Sequence, residues 1–293
     1  MAKNFTIQDF FKRFPDDGAC LNHLMNLRYG KVIDCPKCGK RGKFSRISKM
    51  PAFQCAWCGH HIHPMAGTPF ERSRTPLQKW FYAMYLFTTT RHGVPAKELQ
   101  RQLGVTYKTA WRIGHEIRKY MGRVDGDSGL SGHVEIDEAF IGGEPKPKNN
   151  AGAIMQTQNR AKKTVVFGMV QRGGDIITRV VPNAQRKTLV PLVEQYVAKG
   201  TVLSSDEWGA YQVLGEKGYQ HGTVCHRRRE YVRGQTHTNT IEGFWSHFKN
   251  SVRGTHKSIS PKHMMNYLHE FEFRFNLRRD VSGSMFDRLI QAF

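Results

Sequence analysis

The chain has 293 residues, 39% hydrophobic and 11% aromatic, which is long enough for two or three domains and too apolar for a disordered protein. Its 45 Lys and Arg against 24 Asp and Glu leave a net charge of +21. That excess points to a polyanion partner, above all nucleic acid, because each neutralised phosphate releases counterions. No run of about 18 apolar residues exists, so no membrane-spanning helix is expected.

In chain order, residues 5–30 read as helical: "DFFKRF" and "CLNHLMNLRYG" place apolar residues at three-to-four spacing, broken by Pro15 and Gly18. Asp9, Asp16 and Asp17 interrupt any signal-peptide pattern, so an intracellular, reducing location is expected. Cys20 and Cys225 stand alone, whereas Cys35, Cys38, Cys55 and Cys58 form CxxC-x16-CxxC. Each pair is followed by a glycine, Gly39 or Gly59, that lets a short turn present both thiolates to one ion. A redox pair is the alternative for a single CxxC; two at ribbon spacing suit a closed, structural Zn site over residues 31–70. His60, His61 and His63 compete as ligands only if a cysteine is spare.

Residues 76–122 read as three helices. The first is "TPLQKWFYAMYLFTTT", with Thr75 as N-cap and Pro76 in the first turn; "PAKELQRQLGV" and "TYKTAWRIGHEIRKYMG" follow, separated by Gly104-Val105. A short helix, a glycine turn and a second helix opening at Thr106, Tyr107, Lys108 and Thr109, with Arg112 a turn later, is the pattern of a helix-turn-helix. It is equally the pattern of a plain helical hairpin. The net charge and the adjoining ribbon favour DNA binding over residues 71–125.

From residue 132 the period changes to two. "HVEIDEAFIGG" reads as one strand, "TVVFGMVQRGGDIITRVVP" as two joined at Arg172-Gly173-Gly174, "KTLVPLVEQYVAKG" as a helix and "TVLSSD" as a buried strand. A helix in "EWGAYQVLGEKG", a fifth strand in "TVCHRR", and two closing helices near 237–252 and 261–279 follow. Three antiparallel strands, helix, strand, helix, strand is the order of an RNase-H-like fold with a five-stranded mixed sheet, making the chain multidomain α+β. The segment 144–163, rich in Lys, Asn and Gly, is expected to be a mobile loop near the site.

Asp137 lies mid-strand and Asp206 ends a strand; alone, the first is more often a solvated strand residue and the second reads as a helix N-cap. The fold order makes their strands neighbours. On the next helix Asn239, Glu242, Ser246 and Lys249 share one face, while Ile241, Phe244, Trp245 and Phe248 share the other. A lone helix with that face would be an ordinary amphipathic one. Here Glu242 follows Asp206 after 35 residues and Lys249 lies seven beyond it.

Two aspartates, a glutamate after that gap and a basic residue two turns on resemble the DDE signature of transposases and retroviral integrases. With "AGTPFERSRTPLQKWF", "EIDEAFIGG", "SDEWGAY" and "HTNTIEGFWSHFK", nearly the whole chain resembles bacterial insertion-sequence transposases with an N-terminal zinc ribbon and a DD(N/E)K catalytic domain. The resemblance implies an N-terminal helical segment over 1–30, catalysis within 130–293, and acidic residues at Asp137 and Asp206. It leaves Asn239 or Glu242 as third member. The charge and spacing of Glu242 make it the choice for ligand, with Asn239 auxiliary, and Lys249 holds phosphate or the DNA end. Hard oxygen donors suit two Mg2+ or Mn2+ ions. The implied partners are inverted-repeat ends and target DNA, engaged by a homodimer or larger assembly at the bacterial nucleoid. The basic run "HRRREYVR", with Arg227, Arg228, Arg229 and Arg233, is placed for phosphate contact. His226 and His237 flank the site as phosphate contacts, proton shuttles or plain packing residues. A nuclease or resolvase of the same fold, and a DNA-binding regulator with an inactive domain, are the competing readings.

Overall fold

The computed structural model describes residues 5–125, 129–142, 163–280 and 284–293. The chain divides into two compact units. The first comprises Met1–Thr90, Val94–Tyr120 and Asp280–Phe293, and the second Arg91–Gly93 and Met121–Arg279.

In the first unit α1 (Ile7–Arg13) is started by a capping box: Thr6 Oγ1 accepts from the Asp9 N–H, and the Thr6 N–H donates to the Asp9 carboxylate. After α2 (Asp17–Tyr29) come the hairpin β1 (Ile33–Asp34) and β2 (Arg41–Gly42), and the three-stranded sheet β3 (Phe44–Arg46), β4 (Phe53–Cys55) and β5 (His61–Ile62). Helices α3 (Leu77–Thr89), α4 (Ala96–Leu103) and α5 (Tyr107–Asp125) complete the pattern read from the sequence. One detail differs: Pro76 itself occupies the N-cap of α3 and makes no side-chain cap bond, so Thr75 lies one residue outside. Phe10, Phe14, Trp80, Phe81 and Phe87 are buried, with Phe14 and Phe81 edge to face at 5.0 Å.

The second unit is built on one sheet. Its strands are β6 (His133–Ile141), β7 (Thr164–Gln171), β8 (Ile176–Val181), β9 (Val202–Ser205) and β10 (Gln220–Thr223), with α6 (Arg186–Tyr196) between β8 and β9. Their order is β10-β9-β6-β7-β8; β7 is antiparallel to β6 and β8, and β9 is parallel to β6 and β10. This is the mixed five-stranded sheet of the RNase-H-like order. Beyond it lie a small hairpin, β11 (Val232–Arg233) with β12 (Thr236–His237), then α7 (Asn239–Ser251) and α8 (Met264–Asn276). Strand alternation divides β6 between two cores. Val134 and Ile136 pack with Leu189 and Val193 of α6, whereas Ala139 and Ile141 pack with Ile241, Trp245 and Phe248 of α7.

Three expectations are corrected. The fifth strand is Gln220–Thr223, not "TVCHRR": there Val224 is buried after the strand and His226–Arg228 forms a 3-10 turn. The segment after Asp206 is a 3-10 helix, Gly209–Leu214, rather than an α-helix. A third closing helix, α9 (Ser284–Gln291), follows the two expected ones, and Asp280–Phe293 clusters with the first unit. In α9, Phe286, Leu289 and Ile290 are buried. Residues 144–162 of the expected mobile loop lie outside the described residues.

Candidate active site

The parallel pairing of β6 with β9 runs His133 to Val202, Val134 to Leu203 and Glu135 to Ser204. Asp137 and Asp206 each lie two positions past that last pair, at the same end of the pairing between the two neighbouring strands, and the Asp206 carboxylate is near enough to act on Asp137. Asp206 stands just beyond the end of β9, and its Oδ1 accepts the Trp208 N–H at 3.0 Å in an Asx-type turn. Directly opposite Asp137 on β7 is Gly168. A Cβ there would come within 2.5 Å of Trp245 Cζ2 and 2.9 Å of Ile241 Cδ1, so the glycine admits α7 onto the sheet beside Asp137.

Helix α7 buries Ile241, Phe244, Trp245 and Phe248 and exposes Asn239, Glu242 and Ser246, with Lys249 half-buried on the same side. Glu242 accepts from Thr238 Oγ1 at 2.7 Å, and His226 Nε2 faces it at 3.5 Å. Asn239 is the first residue of the helix. His237 Nδ1 instead faces Glu135, at 3.2 Å.

The charges on these groups interact. Burial pushes the Asp137 carboxyl well above the ordinary range, and the neighbouring carboxylates of Glu138, Asp206 and Glu242 push it further. Asp206 is also raised, first by burial and then by Glu207 and Glu242, against the opposing Trp208 N–H and His226. Burial lowers the Lys249 ammonium, while Asp137 and Glu242 act in the other direction. Asp137, Asp206, Glu242 and Lys249 therefore share one electrostatic neighbourhood.

The cysteines form a second, separate centre. Backbone N–H groups of Gly39 and Gly59, both with positive φ, close the two knuckles on the Cys35 and Cys55 carbonyls. Cys35 and Cys58 Sγ lie 3.6 Å apart, Cys38 and Cys55 Sγ 4.0 Å apart, and all four within 4.8 Å of one another. Tetrahedral Zn with Zn–S near 2.3 Å requires sulfur edges of about 3.8 Å, so four thiolates fit that ion. Among the described residues no other group of three or more His, Cys, Asp or Glu ligand atoms is gathered that tightly.

Just ahead of α5, Thr106 Oγ1 accepts the Thr109 N–H at 3.3 Å, and on the helix Tyr107, Lys108 and Arg112 are exposed. The Lys97 ammonium lies 5.1 Å from the Tyr107 ring centre, and the Arg112 guanidinium 5.1 Å from that of Trp80. Trp111, exposed one turn after Tyr107, joins this surface without having been expected there, although its i,i+4 spacing is visible in the sequence. In the basic run Arg228 and Arg229 are exposed, Arg227 is 3.5 Å from Glu207, and Arg233 forms a two-pronged pair with Glu230.

A family model described as the ISXO2-like transposase domain matches residues 129–276, which span β6 to α8. The chain belongs to the ISXO2-like transposase family. A transposase zinc-ribbon domain matches residues 15–61 of this transposase, covering the four-cysteine centre. It is 26% identical over 283 residues to a protein in transposable element ISH50 of Halobacterium salinarum, covering 92% of this chain and 93% of that protein. It is 31% identical over 101 residues to a transposase-like protein of Haemophilus influenzae, covering 34% of this chain and 80% of that one. The transposase thus carries a structural zinc ribbon ahead of its transposase domain. No described helix is long and apolar enough to cross a membrane.

Proposed function

We propose that this transposase binds the ends of its insertion sequence, cuts the DNA strand there and joins the freed 3′ end to target DNA, using divalent metal at Asp137, Asp206 and Glu242. The observation that carries the reading is that Asp137 and Asp206 lie at the same end of the pairing between neighbouring parallel strands and that both, with Glu242 and Lys249 of α7, interact electrostatically. The donor chemistry suits the metal, although the three carboxylates are not drawn together as tightly as the four cysteines. The oxygens are hard, and Asp137 sits among carboxylates whose mutual repulsion a dication would relieve. Two Mg2+ or Mn2+ ions held there would supply Lewis acidity for in-line displacement at phosphorus, with no covalent enzyme intermediate. Asp137 and Asp206 hold from the sheet and Glu242 from the helix. Asn239, at the first position of α7, assists as auxiliary ligand or orients water, and Lys249 donates to phosphate. Thr106, Tyr107, Lys108, Thr109 and Arg112 read or grip duplex DNA, and Arg227, Arg228, Arg229 and Arg233 follow its backbone. Two ends must be held at once, so the working form is a dimer or larger assembly on DNA.

Incubating the chain with Mg2+, a duplex carrying the DNA that flanks its gene and a target plasmid tests the reading. Covalently joined product is expected. Nicks or linear plasmid without joining would assign a nuclease instead, and binding without any cut would assign a regulator.

A further inference from the structure

Glu135 stands two residues before Asp137, on the same face of β6, and its side chain is fully buried. A carboxylate in that position costs several kcal/mol unless it is fully partnered. Its oxygens accept from Arg172 Nε at 2.7 Å, the Thr240 N–H at 2.7 Å, Thr240 Oγ1 at 2.9 Å and the Ile241 N–H at 3.1 Å, with His237 Nδ1 at 3.2 Å. Its acceptor capacity is filled, so Glu135 is not a further metal ligand.

What it holds is the start of α7. The Thr240 and Ile241 N–H groups belong to the first turn, whose N-cap, Thr238, makes no side-chain cap bond and gives its hydroxyl to Glu242 instead. A strand carboxylate thus supplies the cap from 105 residues away. Arg172, from the β7–β8 turn, completes the node: it donates to Glu135 and also to the carbonyls of Gln235 at 2.7 Å and His237 at 3.0 Å, the residues that lead into the helix.

We infer that Glu135, oriented by Arg172, is a positioning residue that sets Glu242 and Asn239 against Asp137, so that one strand carries both a metal-holding carboxylate and the clamp for the helix that brings the other. This rests on the assignment of Asp137 and Glu242 as metal-holding groups. Substitutions in such outer partners of metal ligands typically cost about 10–100-fold in metal affinity or activity.

The test is Mn2+ titration of the full-length, zinc-loaded chain without DNA, with free Mn2+ read by electron paramagnetic resonance. Glu135→Gln, which places an NH2 group against the N–H donors, is expected to weaken Mn2+ binding about tenfold or more. Duplex binding in a gel shift should stay within about twofold of wild type, because the clamp includes none of the residues proposed to contact DNA. On a Glu242→Gln background the same change should add much less than its loss in the wild type, because it acts chiefly through Glu242. Where Glu135→Gln does not fold, Arg172→Lys, which keeps the charge but not the fork, is expected to show the same weakening and decides the matter. Wild-type Mn2+ affinity in the folded variant, or an equal further loss on the Glu242→Gln background, overturns the inference. If Asp137→Asn also leaves Mn2+ binding unchanged, the metal-site reading itself fails.

Discussion

At Asp137 burial and three nearby carboxylates act in the same direction, and the consequence can be measured without DNA. Its carboxyl titrates well above the ordinary 3.8 in the folded chain. Below that pH the group is protonated in folded and unfolded chains alike. Above it the unfolded chain gives up the proton while the folded chain retains it, so stability falls as pH rises until Asp137 ionises in the fold as well. Metal-free Asp137→Asn should therefore melt above the wild type near neutral pH, with the difference shrinking towards pH 4. A gain of about 1 kcal/mol would appear as about 2–4 °C. An equal or lower melting temperature for the variant would show that the site stores no such repulsion. The aspartates are legible in the sequence because a charge inside or at the end of an apolar strand breaks its pattern. Glu135 is not legible in the same way: "VEIDE" offers three acids in four positions, and only the fold brings a helix terminus to one of them.

Among the elements, α7 is read well because its apolar and polar residues separate cleanly at helical spacing. The condition for its close seat lies on another strand. Gly168 faces Asp137 across the β6–β7 ladder, and any side chain there meets Trp245 and Ile241. Gly168→Ala is expected to destabilise the chain by about 1–3 kcal/mol, the usual cost of overpacking, read as a lower denaturant midpoint. Joining activity should fall with it, since Glu242 and Lys249 ride on the displaced helix. An unchanged midpoint would mean that α7 has slack at this point. Strand β10 is misread for the opposite reason. It pairs on one side with β9, and its residues are exposed or half-buried, so Gln220–Thr223 shows no apolar alternation, while the buried Val224 just beyond it draws the assignment downstream. The 3-10 turn after Asp206 is misread because its buried residues, Ala210, Tyr211 and Leu214, also suit the face of an α-helix. The zinc knuckles needed no such inference, since cysteine spacing alone specifies their chemistry.

For the whole molecule, the charge of +21 is the property that composition gives directly, and its distribution is what composition leaves out. Some of the basic residues answer acids of the same chain, as Arg233 does Glu230 and Arg172 does Glu135, whereas Lys108, Arg228 and Arg229 are exposed. Duplex affinity should fall steeply with salt. Replacing Lys108 and Arg112 together by Ala should make the slope of log K against log salt shallower by about 2, near 0.9 for each phosphate that is no longer neutralised. An unchanged slope would remove α5 from the DNA interface. The return of the last helix to the first unit has no signature in the sequence, because a short amphipathic segment does not state which core it completes.

The most direct measurement for the whole account is strand transfer by Asp137→Asn and Asp206→Asn, run beside the wild-type chain with end-bearing DNA and Mg2+ or Mn2+. We expect both variants to bind that DNA with nearly wild-type affinity and to yield no joined product, a loss of more than about a thousandfold, the scale on which removing a central catalytic group acts. Joined product from both variants at a rate comparable to wild type would contradict the assignment of these carboxylates.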